Sequence, residues 1–372
     1  MKITAVIPHV VVQRLDQPFG MSQWLWDVRA SCLVEVRTDD GVIGWGECFG
    51  PAQANRALIE SVYAPMLVGR DAGEMVALWE AMYNRSREWG RKGISITAIS
   101  GVEIALWDIA GKAVGLPVHR LLGGSAPASF SAYASAFYYA GPWDGDLEGE
   151  AAHLLAAGYR AFKMKVGGRP VDEDVRRVRR VRAALGPDTR LAVDANRGYT
   201  AAEAIRFGRA VADEDLWFFE EPVLPEDLDA YTQVRAALDV PISGGESEFT
   251  RWGFREFLAR GPVDILQPDA TACGGIRETL LIAGMASAHG IPTVPHVWGS
   301  AITVAAGLHL MTALPDVVPS MARERPHVEL DQAPNVFRDE LSDLVCGPVM
   351  TVPDGPGLGV EIDRSVIEGH RP

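Results

Sequence analysis

The chain has 372 residues, 48% of them apolar and 23% charged, which is an ordinary globular balance and enough chain for two domains. Its formal charge of −14 makes nucleic acid and anionic membrane surfaces unsuitable partners, because proteins that bind them carry basic patches. Four scattered cysteines without C-x-x-C spacing, and an N-terminus with no long apolar run, predict reduced thiols, a cytoplasmic location and no membrane span.

The N-terminal part has the pattern of an α+β domain. Period-two alternation predicts strands over 2–15, 31–37 and 42–47. Residues 18–27, between the first two strands, are rich in aromatic side chains and include Trp24. We expect a loop there, which either packs onto the core or covers a pocket as a lid. Amphipathic patterns predict helices over 55–64, 73–86 and 95–114.

From about residue 129 onward, short apolar runs alternate with helical patterns. The runs predicted as strands are 130–137, 161–166, 191–194, 217–220, 241–244, 263–267, 291–295 and 327–330. Such alternation predicts βαβ units, and eight strands with right-handed crossovers favour a closed (β/α) barrel over an open sheet. We therefore expect an α/β protein in which residues 126–344 form the barrel. Residues 1–125, joined by the returning tail 345–372, form an α+β capping domain.

One predicted strand carries two lysines where a buried strand should be almost wholly apolar. With period-two alternation, Lys163 and Lys165 point to the same face. Helices on both sides of the sheet would bury that face, and a buried ammonium is costly unless it is paired or used in chemistry. Taken alone, the pair is as consistent with a half-exposed strand as with a catalytic one.

Three other predicted strands lead into acids, Asp194, Glu220 and Glu246, at equal spacings of 26 residues. One βα unit per step places them at the same height on adjacent strands, at the end of a barrel where chemistry occurs. Three converging carboxylates need a cation, and hard oxygen ligands suit Mg²⁺. Any one of them could instead cap the following helix, but three in phase favour the metal. Asn196 would face the same way as Asp194 and support the site or contact substrate.

Two further strand ends carry Asp269 and His296, which are 27 residues apart and so again one unit apart. An aspartate beside a histidine fixes the imidazole tautomer and raises its basicity, so we favour a catalytic dyad over a structural histidine. Glu329, on the eighth predicted strand, completes the ring of polar side chains.

Together these motifs resemble those of the enolase superfamily and, within it, the mandelate racemase and muconate lactonizing enzyme family. The helix at 98–112, the Leu-Leu-Gly-Gly run at 121–124 and the Glu-Glu-Pro run at 220–222 extend the resemblance over nearly the whole chain. It implies an α+β cap over a modified (β/α)7β barrel, with Mg²⁺ on the three strand-end acids. Members of this family are often octamers, so we also expect a homo-oligomer.

The same resemblance implies roles for the remaining residues. Lys165 and His296 would act as acid/base groups on opposite faces of the substrate, and Glu329 would hydrogen-bond an enolate oxygen. Lys165 must be neutral to act as a base, and Lys163, as a nearby cation, would lower the pKa of Lys165 and pair with the substrate carboxylate. The predicted substrate contacts are Asn196, Trp24, Trp298 and Lys163.

The reaction predicted from this set is abstraction of the weakly acidic proton α to a carboxylate, through an enediolate whose charge a divalent ion stabilises. We expect β-elimination to follow, in a dehydratase or a lactone cycloisomerase that acts on a small sugar acid or its lactone. A racemase or epimerase of a 2-hydroxy acid would use the same two bases. The intact set of acids, lysines and dyad disfavours a silent barrel that only binds a ligand.

Overall fold

An antiparallel sheet and a long helix build the N-terminal part of the protein, which a computed structural model describes over residues 1–125, 129–318 and 326–372. The elements of this part are β1 (Ile3–Gly20), β2 (Leu25–Thr38), β3 (Ile43–Cys48), α1 (Ala52–Leu58), a π-helical turn (Ile59–Tyr63), α2 (Ala64–Leu67), α3 (Met75–Ser86), α4 (Ile94–Val114) and α5 (Val118–Leu121). The strands pair in the order β3-β2-β1, and the helices cover the sheet, so this part is α+β as predicted.

Helix α4 is the core of the cap. It ends at Gly115, whose φ of 71° is a left-handed conformation that glycine adopts without strain. The helix is long and apolar enough to cross a membrane, but 83% of its most apolar window is buried inside the fold. That burial is typical of the central helix of a folded domain.

A mainly parallel sheet surrounded by helices forms the rest of the chain. Its elements are β4 (Ser129–Ala136), β5 (Tyr139–Ala140), α6 (Leu147–Ala156), β6 (Ala161–Lys165), α7 (Val171–Leu185), β7 (Arg190–Asp194), α8 (Ala201–Ala210), a 3₁₀ turn (Ala212–Glu214), β8 (Leu216–Glu220), α9 (Leu228–Ala237), β9 (Ile242–Gly244), α10 (Thr250–Arg260), β10 (Ile265–Leu266), α11 (Ala270–Cys273), α12 (Ile276–Ala288), α13 (Ala301–Met311), β11 (Val328–Asp331), α14 (Val336–Asp339), β12 (Val349–Thr351) and α15 (Arg364–Gly369). The parallel strand order is β10-β9-β8-β7-β6-β4-β11. The predicted α/β fold with its separate cap is confirmed.

The strand predicted over 291–295 is not a regular strand. Thr293 forms an isolated parallel bridge with Leu266, and two backbone hydrogen bonds of 2.9 Å flank it, from Leu266 N to Pro292 O and from Val294 N to Leu266 O. Pro292 and Pro295 have no N–H group to donate, so a continuous ladder cannot form through this segment. The segment still runs alongside β10, as a barrel strand would.

The aromatic segment predicted as a loop is mostly strand as well. Strands β1 and β2 continue through it, and only residues 21–24 turn the chain. A register shift between Arg14 and Phe19 accommodates the irregular stretch of β1. Phe19 and Gly20 then pair with β5, so the tip of this hairpin is attached to the barrel. The predicted lid is therefore a hairpin tip rather than a free loop.

Two buried glutamates of the cap reach the first turns of barrel helices. Glu47 accepts hydrogen bonds from Ser300 N at 2.9 Å, from Ser300 Oγ and from Thr303 Oγ1, at the start of α13. Glu103 accepts hydrogen bonds from Ile276 N at 2.7 Å and Arg277 N at 2.9 Å, at the start of α12. A carboxylate at a helix N-terminus satisfies free N–H groups and interacts favourably with the helix dipole. These contacts fix the cap on the barrel.

The C-terminal tail contacts both parts of the protein. Strand β12 pairs antiparallel with barrel strand β4, and farther on the side chain of Arg364 pairs with Glu35 of the cap at 2.6 Å. The tail predicted to return to the cap therefore first adds a strand to the barrel. The predicted domain boundary at 125/126 adjoins residues 126–128, which lie outside the described residues. Residues 319–325 also lie outside the described residues.

Candidate active site

The two lysines of β6 extend into the centre of the barrel and are both buried. Lys165 Nζ lies 2.5 Å from Asp194 Oδ2. Lys163 Nζ lies 2.5 Å from Glu220 Oε1 and 2.7 Å from Glu329 Oε1. The strand is therefore not half-exposed: Lys163 is fully buried and Lys165 is 7% exposed.

The three strand-end acids meet at one point, as their spacing predicts. Asp194 and Glu220 are register partners on β7 and β8, and Asp194 is also the partner of Lys165 on β6. Carboxylate oxygens of Asp194, Glu220 and Glu246 lie within 4.8 Å of one another. Three convergent hard oxygen donors fit a divalent cation such as Mg²⁺, which leaves its other positions to water or substrate.

Electrostatic conditions around these acids also fit a cation. Burial and the neighbouring carboxylates raise the pKa of Glu220 well above its usual range, although Lys163 opposes that shift. Burial acts against the charged form of Lys165, but Asp194 outweighs it and raises the pKa of Lys165. The predicted lowering of the pKa of Lys165 by Lys163 is therefore overcome by Asp194 in this arrangement. A cation that shares the charge of Asp194 would remove this obstacle to a neutral Lys165.

His296 and Asp269 form the predicted pair. His296 Nδ1 lies 2.6 Å from Asp269 Oδ2, and His296 Nε2 lies 3.4 Å from Glu246 Oε2, so the ring spans from the dyad to the acid cluster. Asp269 Oδ1 accepts a hydrogen bond from Thr271 N at 2.7 Å, which makes Asp269 the cap of α11 as well. Burial lowers the pKa of His296, but Glu246, Glu329 and Asp269 outweigh it and raise that pKa to about 10.

Glu329, on β11, lies beside Lys163. Its carboxylate pairs with Lys163 and accepts a 3.3 Å hydrogen bond from Val297 N. Although burial acts in the opposite direction, Lys163 and His296 lower the pKa of Glu329 to about 2. An ionised Glu329 has no proton to donate, so its predicted hydrogen bond to an enolate oxygen requires a different protonation state and stays a prediction. The predicted contact of Lys163 with substrate also stays a prediction.

The other predicted substrate contacts are Asn196, Trp24 and Trp298. Asn196 N donates a 2.8 Å hydrogen bond to Asp194 Oδ1, and the buried Oδ1 of Asn196 has no partner among the described residues. Trp24, 49% exposed at the hairpin tip, packs on Trp26 at 6.0 Å, and Trp26 packs on Trp298 at 5.6 Å. Trp26 therefore lies between Trp24 and Trp298, and Trp24 is the outermost of the three rings.

Two family models match the chain. Residues 2–123 match the N-terminal domain of the mandelate racemase and muconate lactonizing enzyme family, and residues 146–366 match the enolase C-terminal-domain-like model. The chain belongs to the mandelate racemase and muconate lactonizing enzyme family. The predicted resemblance, and with it the prediction of an enolase-superfamily enzyme, is confirmed.

Named relatives match all or most of the chain. D-galactarolactone cycloisomerase of Agrobacterium fabrum is 45% identical over 378 residues, with 100% of this chain and 99% of the relative covered. Arabinonate dehydratase of Saccharolobus solfataricus is 36% identical, with 91% and 89% covered. The crystal structure of 3,6-anhydro-D-galactonate cycloisomerase from Zobellia galactanivorans superposes with a TM-score of 0.90 at 38% identity, with 100% of this chain and 99% of that chain covered.

Several residues at the mouth of the site were missed by the sequence reasoning. Tyr138 faces Lys165, whose Nζ lies 5.5 Å from the ring centroid, and Phe49 contacts His296 edge-on at 6.1 Å. Arg29 and Asp331 form a buried ion pair behind them. Alternation along β11 puts Asp331 on the same face as Glu329, which is the one signal in the sequence that could have located any of the four.

Proposed function

We propose that this protein is a Mg²⁺-dependent cycloisomerase that acts on a cyclic sugar acid, by removing the proton α to the carboxylate and expelling the ring oxygen from the β-carbon. The observation that carries the proposal is the convergence of three carboxylates, two buried and one partly buried, between Lys165 and the His296–Asp269 pair. The 45% identity to D-galactarolactone cycloisomerase over the full chain supports the choice of substrate class.

The chemistry of the named compounds narrows that class. Galactarolactone and 3,6-anhydrogalactonate both contain a free carboxylate, a C–H bond on the α-carbon and a ring oxygen on the β-carbon. Elimination across those two carbons opens the ring and keeps every atom, so substrate and product are isomers. Two relatives with names of this kind match the full length of the chain, one by sequence and one by structure.

In this proposal Asp194, Glu220 and Glu246 would hold Mg²⁺, whose positive charge stabilises the negative charge that develops on the substrate carboxylate. Lys165 takes the α-proton on one face of the substrate. His296, oriented by Asp269 through Nδ1, donates a proton from Nε2 to the departing ring oxygen on the other face. Asn196 offers its buried amide oxygen to a substrate hydroxyl.

The test is turnover of defined compounds in the presence of Mg²⁺, followed by NMR. D-galactaro-1,4-lactone and 3,6-anhydro-D-galactonate are the two cyclic candidates, and D-arabinonate and D-galactonate are open-chain controls. We expect ring-opened keto acids from at least one cyclic compound. Turnover of the open-chain acids alone would contradict the cycloisomerase proposal and favour the dehydratase, which the 36% identity to arabinonate dehydratase makes the second candidate.

A racemase or epimerase is distinguished by running the reaction in D₂O. Return of deuterium to the α-carbon of recovered starting material, without product, would favour racemisation.

A cytoplasmic location and a homo-oligomer stay part of this proposal, and size-exclusion chromatography with light scattering tests the latter.

A further inference from the structure

A buried ion pair lies behind the aromatic side chains of the candidate site. These form two walls: Trp298 and Phe49 on the His296 side, and Tyr138 on the Lys165 side. Arg29, on β2 of the cap, and Asp331, at the end of β11, are 5% and 3% exposed, and Arg29 Nη2 contacts Asp331 Oδ2. Arg29 Nε also donates a 3.0 Å hydrogen bond to Pro334 O. Burying two charges is costly and by itself adds little stability, so such a pair is better explained by the geometry that it imposes.

Arg29 holds the wall on the His296 side. Its guanidinium lies between two rings, with Cζ 4.7 Å from the centroid of Phe19 and 4.5 Å from that of Trp298. Trp298 in turn contacts Phe49 at 6.4 Å, and Phe49 contacts His296 at 6.1 Å. A planar guanidinium can stack on two rings at once, which a lysine ammonium cannot do in the same way.

Asp331 holds the wall on the Lys165 side. Its Oδ1 accepts a 2.8 Å hydrogen bond from Tyr138 OH and a 3.0 Å hydrogen bond from Ala333 N. The Tyr138 ring, fixed in this way, faces Lys165 Nζ at 5.5 Å and meets Phe19 edge-on at 5.0 Å. Oδ2 of Asp331 therefore faces Arg29, with Arg338 Nη1 farther away at 4.0 Å, and Oδ1 holds Tyr138.

We propose that Arg29 and Asp331 are positioning residues: Arg29 places Trp298 against Phe49, the neighbour of His296, and Asp331 places Tyr138 beside Lys165. One ion pair would in this way set the substrate geometry at both acid/base groups. This inference rests on the proposed function for the roles of those two groups. Small displacements of a bound substrate from the reactive geometry are costly, with losses of about 100-fold for an error near 1 Å. Variants of the pair should therefore lower kcat and leave Mg²⁺ affinity unchanged.

The first measurement follows Trp298 without any turnover. The full chain is labelled with 5-fluorotryptophan, and Trp298→Phe identifies the resonance of Trp298 by ¹⁹F NMR. Arg29→Lys keeps the charge but loses the double stacking, so we expect the Trp298 resonance to shift or broaden. The matched control is Arg56→Lys, since Arg56 is exposed and pairs with Glu60 across one helical turn. An unchanged Trp298 resonance in Arg29→Lys would overturn the proposal.

The second measurement separates kcat from KM on whichever cyclic acid the native protein converts. We expect Arg29→Lys and Asp331→Asn to lower kcat by about 10- to 100-fold, with Mg²⁺ affinity within twofold of native. Tyr138→Phe removes a single hydroxyl, remains informative if an ion-pair variant does not fold, and should lower kcat by about 10-fold. If the variants lose thermal stability while kcat and KM stay native, the pair is only structural and the proposal fails. Absence of turnover by the native protein would instead contradict the proposed function and leave the ¹⁹F result to decide on positioning.

Discussion

Two groups of carboxylates inside this protein have opposite surroundings. At the interface of cap and barrel, Glu47 and Glu103 each accept several hydrogen bonds from the first turns of barrel helices. At the barrel mouth, Asp194, Glu220 and Glu246 face one another within 4.8 Å. Glu47 lies near the end of β3 and Glu103 within α4, whereas the other three acids end or follow barrel strands.

The difference lies in the balance of donors and negative charges. A carboxylate surrounded by N–H and O–H donors is satisfied by the fold and serves to fix it. Carboxylates that face other carboxylates repel one another. Lys163, Lys165 and the donors Asn196 N and Gln267 Nε2 offset part of that repulsion, and a bound cation would offset more of it. Stability should therefore depend on the interface acids, and catalysis on the mouth acids. The following variants test this division.

The largest expected effect is on Lys165, the proposed base, which pairs with Asp194. Lys165→Ala should lower kcat by about 10,000-fold, the upper range for loss of a general base, because no other described amine reaches the same position. Exchange of the α-proton in D₂O should be lost to the same extent. The control is Lys92→Ala, an exposed lysine paired with Glu248 at 2.7 Å, which should retain native kcat. Full α-proton exchange in Lys165→Ala would show that another residue is the base.

Glu246→Gln should lower kcat by about 1,000-fold, because losing a direct ligand exceeds the 10- to 100-fold cost of losing an outer partner. Calorimetric titration should show weakened Mg²⁺ binding, and EDTA should inactivate the native protein until Mg²⁺ is restored. The melting temperature should change little, since Glu246 is held by few internal contacts. Glu60→Gln, at an exposed helical position, is the control. Native Mg²⁺ affinity in Glu246→Gln would contradict the assignment of the metal site.

The ionisation of Glu103 at the interface should make the free energy of unfolding depend on pH. Burial raises the pKa of Glu103 to about 7, from an ordinary value of 4.5. A carboxyl with a raised folded pKa favours the folded state below its unfolded pKa, and this contribution is lost as the pH rises from about 4.5 to 7. The native protein should lose about 3 kcal/mol of unfolding free energy relative to Glu103→Gln across that range. Urea denaturation at pH 5, 6, 7 and 8 measures this difference, and parallel curves for the two proteins would contradict it.

The smallest expected effect is that of Glu47→Gln, at about 2 kcal/mol of unfolding free energy. The amide keeps one acceptor but places an NH₂ group against donors at the start of α13. Thermal denaturation should show the loss, while Mg²⁺ affinity stays native. Together with Glu246→Gln, this variant gives a reciprocal pair, one affecting stability and the other metal binding. Loss of Mg²⁺ binding in Glu47→Gln would break the division between the two groups.

Much of the mouth could be predicted because its residues repeat along the chain. Equal spacing of 26 residues placed Asp194, Glu220 and Glu246 on adjacent βα units, and the register of β7 and β8 confirms the alignment of the first two. Period-two alternation likewise put both lysines on the inner face. Local rules of this kind need no knowledge of the remote chain.

The rest of the site could not be predicted, since its contacts join remote segments. Arg29 and Asp331 are separated by 302 residues, and Glu47 and Ser300 by 253. No periodicity links such positions. The prediction of a regular strand over 291–295 was wrong for a local reason, the two prolines in that segment. The prediction of a lid loop was wrong because its strand partner β5 has only two residues, too few to be recognised in the sequence.

The order in which the contacts of the cap become available has a consequence for synthesis of the protein. The cap is made first on the ribosome, yet Val12 N donates a 2.7 Å hydrogen bond to His370 O, and Glu35 pairs with Arg364. Glu47 and Glu103 of the cap also lack their hydrogen-bond donors until the helices that begin at residues 276 and 301 have been synthesised. A nascent cap therefore remains incomplete until almost the whole chain has emerged, and truncated products of translation should be recognised as unfolded by cellular quality control.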